Sequence, residues 1–181
     1  MSAVDWYAAR AAGVVAYTLL TTSVLLGTLL SGRARSRTWP AFAVADVHRF
    51  VALLTGWFVA LHVVTVLLDS VVPFSLAQVL VPDAASYRPF WVGLGTVAAE
   101  LLLAIALTNL YRKELGFRLW RRAHYLTFGV WLAGAAHGIG AGTDASAPWL
   151  RLLYVVSVGG VAAAVAWRVA RRSLDVSPGR A

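Results

Sequence analysis

The chain has 181 residues, of which 60% are hydrophobic and 13% are charged, and its formal net charge is +8. A soluble domain carries about 25% charged residues, so this composition excludes an ordinary soluble protein and indicates a membrane protein. The chain contains no cysteine, which excludes disulfides, cysteine-ligated iron–sulfur clusters and covalently attached c-type haem.

Long apolar blocks follow one another along the chain, and most are near the 20 residues needed to cross a hydrocarbon core of about 30 Å. Five transmembrane segments are predicted, at residues 7–30, 42–68, 90–110, 123–139 and 149–168. Backbone groups cannot bond to water in lipid, so each segment is expected to be a helix. The predicted fold is an all-α integral membrane bundle of about five helices within residues 1–172, with a disordered cytoplasmic tail at 173–181.

Basic residues are concentrated beside alternate connections. Only Arg10, Arg88 and Arg151 lie on one side, and the other thirteen lie around the first and third connections or after the last segment. The positive-inside rule then places the N-terminus outside and the C-terminus in the cytoplasm, in a membrane of bacterial plasma-membrane type. The positive charge therefore reflects membrane topology, and it also attracts anionic lipid headgroups. We expect membrane lipid as a partner and no nucleic acid.

The longest connection runs from Asp69 to Pro89 on the outer side. Ser75 and Gln78 have the spacing of a capping box, which predicts a short helix lying on the outer surface. Two interpretations are open for this segment. It is either a simple connector or a cover over whatever the outer half of the bundle binds.

The four histidines form two pairs, His48 with His62 in the second segment and His124 with His137 in the fourth. Both segments run from the cytoplasm outwards, so His48 matches His124 in depth near the inner surface, and His62 matches His137 near the outer one. The first pair is 14 positions apart and shares one helix face to within about 40°. The second pair is 13 apart, a rotation of about 140°, so the fourth helix must be tilted or distorted, and its glycines at 129, 134 and 138 permit this.

Two neutral imidazoles facing each other across a gap between helices suit a b-type haem, whereas a zinc site needs about four ligands in one place. We therefore predict two haems, one with its iron between His48 and His124 and one with its iron between His62 and His137. A competing hypothesis is a metal transporter or channel that uses the same histidines. Glu100 is the only mid-membrane carboxylate, and no pair of short, broken helices marks a transport site.

Four arginines are candidates for binding the haem carboxylates. Arg49, Arg121 and Arg122 lie beside the inner histidines, and arginine suits bidentate carboxylate recognition, although the same residues serve topology as well. Arg10 lies near the outer end of the first segment, where it would serve the outer haem or attract an anionic substrate.

Two further residues stand out inside the bilayer. Trp131 lies midway between the two haem levels, so it is either part of the electron route or a packing or lipid-facing residue. Glu100 lies at the middle of the third segment, where an ionised carboxylate costs about 2.5–3.5 kcal/mol. Proton uptake, quinone binding and a hydrogen bond across the bundle are all open for Glu100.

The paired histidines on alternate helices resemble those of the ferric reductase-like transmembrane domain, a family that includes ferric reductases, the membrane part of NADPH oxidases and the haem subunit of the methionine sulfoxide reductase system. The similarity lies in His48-Arg49-Phe50, in the stretch from Trp120 to Tyr125, and in His137-Gly138 followed by Gly142-Thr143-Asp144. It covers roughly residues 7 to 168. This chain has five predicted spans where many members have six, and it lacks the cytosolic flavin–NADPH domain of the oxidases.

The resemblance implies an oxidoreductase that carries electrons across the membrane through two bis-histidine b haems. The donor would be a separate cytoplasmic flavoprotein or a quinol, so flavin is expected only on a partner and quinone is a candidate cofactor. The acceptor would be ferric iron, oxygen or an extracytoplasmic partner protein. The alternative within the same class is a haem subunit that passes quinol electrons to an extracytoplasmic reductase of the methionine sulfoxide reductase type.

Overall fold

The computed structural model describes residues 3–32, 39–70 and 72–176, and this part of the chain contains helices and connections but no strand. The helices are α1 Ala3–Ser31, α2 Ala41–Leu68, α3 Leu76–Leu80, α4 Pro89–Leu110, α5 Arg112–His124, α6 Thr127–Ala141 and α7 Pro148–Val176. Arg33, Arg35 and Arg37, which contribute to the predicted charge asymmetry, lie outside the described residues. So do residues 177–181 of the predicted tail, whereas α7 extends four residues past the predicted boundary at 172.

The predicted all-α membrane bundle is confirmed. Within the described residues, α1, α2, α4 and α7 are long and apolar enough to cross a membrane. Their bounds follow the predicted segments closely, apart from the extended end of α7 and an earlier start of α1. The fourth predicted segment, residues 123–139, corresponds mainly to α6, which has 15 residues and a length of about 22 Å, so α6 is shorter than a usual membrane span.

The predicted fourth segment, residues 123–139, is divided in the structure. His124 is the last residue of α5, and α6 begins at Thr127 after a turn at Tyr125 and Leu126. The turn is tightened by hydrogen bonds that span three residues instead of four. The distortion that the histidine spacing requires therefore lies at this turn and not at the glycines at 129, 134 and 138.

The core of the bundle is built by four helices. α1 packs along α2 and also against α6 and α7, while α4 packs against α6. The buried core residues are Tyr17, Leu20, Val24, Ala98, Ile105, Val130, Trp131, Ala135 and Val161. None of these belongs to α2, where only Val51 and Thr55 are buried. α2 is therefore attached along α1 and does not pack closely on α6, which leaves a cleft between α2, with His48 and His62, and the α5–α6 segment, with His124 and His137.

Three buried threonine hydroxyls inside the apolar helices find partners within the chain. Thr21, Thr28 and Thr55 each donate to the carbonyl one turn earlier in the same helix. The hydroxyl of Thr21 also accepts a hydrogen bond from the indole nitrogen of Trp131 at 3.0 Å, which joins α1 to α6. Such internal pairing is required because lipid offers no hydrogen-bond partner.

The predicted capping box is present at the start of α3, where Ser75 and Gln78 bond to each other's backbone. The connection then reaches α4 through Arg88, whose φ of 43° is left-handed. Tyr87 and Arg88 donate hydrogen bonds to the carbonyls of Ala141 and Gly140. These bonds hold the first residues of α4 against the last residues of α6.

Candidate functional site

The structure brings together the histidines that the sequence matches by depth. The ring centres of His48 and His124 are 6.2 Å apart, with an angle of 77° between the ring planes. Those of His62 and His137 are 6.1 Å apart at 75°. Two imidazoles that bind one metal from opposite sides, each with a metal–nitrogen distance of about 2 Å, have ring centres about 6 Å apart. Each pair therefore has the separation of two axial ligands.

Three of the four rings are oriented by a neighbouring helix. In each, Nδ1 lies at hydrogen-bonding distance from a backbone carbonyl, so the ring donates its Nδ1–H. The bonds join His48 to Ser23 at 3.0 Å, His62 to Ala9 at 2.7 Å and His137 to Trp91 at 2.9 Å. This tautomer leaves Nε2 with its lone pair for a metal, and the Nδ1 bond makes the ligand more basic.

A glycine lies one helical turn after each of these three carbonyls. A β-carbon at Gly13 would be 3.1 Å from the ring of His62, at Gly27 3.2 Å from the ring of His48, and at Gly95 2.6 Å from the ring of His137. A side chain at Gly95 would force the ring of His137 to move, and one at Gly13 or Gly27 would crowd the ring of His62 or His48. The glycines therefore permit the close approach of histidine to the backbone.

His124 is held differently. Its Nδ1 is buried and has no hydrogen-bond partner. The ring of Trp120 stacks on it instead, with centres 5.2 Å apart and planes inclined by 24°, and Trp120 donates to Asn109 at 2.7 Å.

A family model described as ferric reductase like transmembrane component matches residues 12–135, more than half of the chain. The chain belongs to this family. It is therefore an integral membrane protein and a component of a transmembrane oxidoreductase. No curated protein and no solved structure matches the chain. The matched range contains His48, His62 and His124 and ends two residues before His137.

The residues of the cleft fit the haem that this family typically binds. Each level offers two facing imidazoles, and three of the four have Nδ1 engaged elsewhere. Within the described residues no group of three or more histidine and carboxylate side chains converges. That donor set suits a planar macrocycle with two axial positions and does not suit a tetrahedral zinc site.

Three of the four candidate arginines, Arg10, Arg49 and Arg121, have partners within the protein. Arg49 donates to Asp46 at 2.8 Å, and both side chains are exposed. Arg10 pairs with Asp144, and its guanidinium lies 4.0 Å from the ring centre of Trp6. Arg10 thus joins the start of α1 to the connection between α6 and α7, just beyond the end of α6. Arg122 is exposed.

Sequence reasoning missed the role of Arg168, which it treated only as a topology charge. Its side chain is 9% exposed and donates to the hydroxyl of Tyr125 at 2.9 Å, and Arg121 donates to the same hydroxyl at 3.4 Å. The hydrogen bonds from Arg121 and Arg168 lower the pKa of Tyr125 to about 8, because both stabilise the phenolate. The sequence gives one signal of this role. Arg168 lies at the end of the apolar part of the last helix, before the pair Arg171 and Arg172.

Trp131 and Glu100 occupy opposite environments. Trp131 is 4% exposed and lies in the core, so the interpretation that it faces lipid is wrong. Glu100 is exposed on α4. It forms no hydrogen bond or ion pair with any residue that the structure describes, so the expected alternative of a bond across the bundle is not realised there.

Gly95→Ala tests the anchoring of His137. The new β-carbon would lie 2.6 Å from Nδ1 of His137, so the ring must move, and we expect the haem at the His62–His137 pair to be lost or strongly weakened. Alanine favours a helix over glycine by about 1 kcal/mol, so helix weakening cannot cause the loss. Haem content per chain is the measurement. Gly159→Ala is the control, since nothing lies within 4 Å of that position, and equal haem content in both variants would contradict the expectation.

Trp120→Ala tests the stacking that holds His124. An aromatic pair contributes about 0.5–1.5 kcal/mol, so haem affinity at the His48–His124 pair should fall about 2- to 10-fold, while the other pair is unaffected. Haem loss on dilution, followed by absorption and by EPR of the two ferric signals, measures this.

Trp120→Phe keeps the stacked ring and should restore most of the affinity. Trp57→Ala removes an indole that is 73% exposed and should leave both signals intact. Unchanged haem loss in Trp120→Ala would exclude the positioning role.

Proposed function

We propose that the protein carries electrons across the membrane between two b-type haems, one held by His48 and His124 and the other by His62 and His137. The observation that supports this most directly is the facing of the rings at two levels, with centres 6.2 Å and 6.1 Å apart. On α2 the two levels are 14 residues apart, which corresponds to about 21 Å of helix. That span covers most of a hydrocarbon core.

The chain's own residues favour relay over chemistry at a metal. Each haem, when bound, supplies a one-electron couple between ferric and ferrous iron. Both histidines of a pair would bind the iron of a haem, which would disfavour the binding of oxygen or another ligand to the metal. Carbonyls of α1 and α4 fix the ring planes of three histidines, which limits the rearrangement that accompanies electron transfer.

The predicted topology sets the direction of electron transfer across the membrane. The His48–His124 pair lies at the arginine-rich, cytoplasmic end and would accept electrons from a separate flavoprotein or from quinol. The exposed basic residues of α5, among them Arg112, Lys113 and Arg118, suit an acidic protein donor. The His62–His137 pair lies at the other end and would pass electrons to an extracytoplasmic acceptor such as ferric iron, oxygen or a partner protein.

We also propose Trp131 as an intermediate group on the route between the two levels. It lies seven residues after His124 and six before His137, and it is buried in the core next to Tyr17 and Thr21. An aromatic side chain in this position shortens the through-space distance between the two ends. Arg10, at the level of the second pair, is a candidate for contact with the haem carboxylates or with an anionic substrate.

A reduced-minus-oxidised absorption spectrum of the purified full chain, with a haem-to-protein ratio, tests the proposal. We expect sharp low-spin b-type bands and close to two haems per chain. A folded, colourless protein, expressed with adequate haem supply, would overturn the proposal. It would instead favour a transporter or channel that uses the same histidines.

His62→Ala tests the assignment of ligands. We expect loss of the haem at the His62–His137 pair and retention of the haem at the His48–His124 pair, with a ratio near one haem per chain. His124→Ala is the reciprocal variant and should retain the other haem. The two single-haem spectra should add up to that of the unaltered protein. Retention of both haems in His62→Ala would show that the pairing is wrong.

A further inference from the structure

A cavity of about 270 Å³ lies between the start of α6 and the last third of α7. Three of its lining residues, Phe128, Val165 and Val169, are apolar, and the other two are Tyr125 and Arg168. Val169 is 58% exposed, so the apolar part of the cavity reaches the lipid-facing surface of the bundle. The cavity combines a buried arginine and a partly exposed tyrosine with an apolar wall that faces the membrane.

Arg168 is the unusual residue of this cavity. It is 9% exposed, and a guanidinium has five N–H donors. One nitrogen donates to Tyr125, but Nε is fully buried and has no hydrogen-bond partner. A buried charge that lacks a counter-charge is strongly destabilising, so a second group is needed to complete the site.

The charges around the cavity do not balance. Arg121 and Arg168 both donate to the neutral hydroxyl of Tyr125. No carboxylate of the described residues pairs with either arginine, since the ion pairs found there are Arg10–Asp144 and Arg49–Asp46. Two cations therefore converge on one uncharged acceptor, and the missing component is an anion.

We propose that this cavity binds the phosphate of an anionic phospholipid, with the headgroup against Arg168 and Tyr125 and an acyl chain along Val165 and Val169. Phosphate is permanently charged and accepts several hydrogen bonds from one guanidinium. The apolar wall requires an amphipathic ligand, and basic pockets between membrane helices at the cytoplasmic side are suited to such headgroups. The site lies between α6 and α7, and its Tyr125 directly follows His124, so its test must distinguish a lipid phosphate from a haem carboxylate.

Native mass spectrometry of the full chain tests the proposal, with phosphatidylglycerol and phosphatidylcholine of identical acyl chains supplied in equal amounts. We expect one phosphatidylglycerol retained per chain. Arg168→Gln should weaken its binding by about tenfold or more, the effect of losing hydrogen bonds to a charged group. Arg171→Gln is the control, because Arg171 lies one turn later on α7, is exposed and stacks on Trp167. It should bind the lipid like the unaltered chain.

A second measurement needs no variant. Phosphatidylglycerol, phosphatidylcholine or inorganic phosphate is added to the delipidated, unaltered protein, and the shift in Tm is recorded; only phosphatidylglycerol should raise it. Equal retention of the two lipids would overturn the proposal in favour of non-selective lipid contact. So would a loss of phosphatidylglycerol binding in Arg171→Gln as large as that in Arg168→Gln. Stabilisation by inorganic phosphate alone would assign the site to a soluble anion. Loss of haem in Arg168→Gln, with the lipid retained, would assign Arg168 to a haem carboxylate.

Discussion

The hydrogen bond from a histidine ring to a helix carbonyl is the interaction on which the arrangement of this bundle depends. At each of the three bonds a glycine follows the carbonyl by one turn, Gly13, Gly27 or Gly95, and leaves room for the ring. Each bond fixes two things at once, the plane of the ring and the distance between two helices. In lipid, where water cannot compete for the carbonyl, such a bond is an efficient way to orient a ligand.

Much of this could be predicted from the sequence. Helix bounds follow from the length of apolar blocks, and the matching of histidines by depth follows from spacing and direction alone. A further signal was present but not used. Gly13 and Gly27 are 14 residues apart on α1, the same separation as His48 and His62 on the antiparallel α2, so each glycine faces one histidine. Trp120 and His124 are likewise four residues apart, the spacing of neighbours on one helix face.

Other features could not be predicted, for physical reasons. The break at Tyr125 and Leu126 involves residues with ordinary helical φ and ψ angles, and neither glycine nor proline marks it. The burial of Arg168 depends on how α7 is rotated against α6, which no single helix determines. Glu100 illustrates the same limit. Its depth in the membrane is clear from the sequence. Its exposure, on a face of α4 turned away from the bundle, follows only from the packing of α4 on α6.

The attachment of α2 has a consequence for assembly. α2 rests along α1 and contributes nothing to the common core, so its distance from α6 is set mainly by what fills the cleft between them. A ligand that binds only the folded arrangement shifts the folding equilibrium by mass action. If the cleft binds haem as proposed, the stability of the folded bundle depends on cofactor supply, and α2 is the helix whose position depends most on what occupies the cleft.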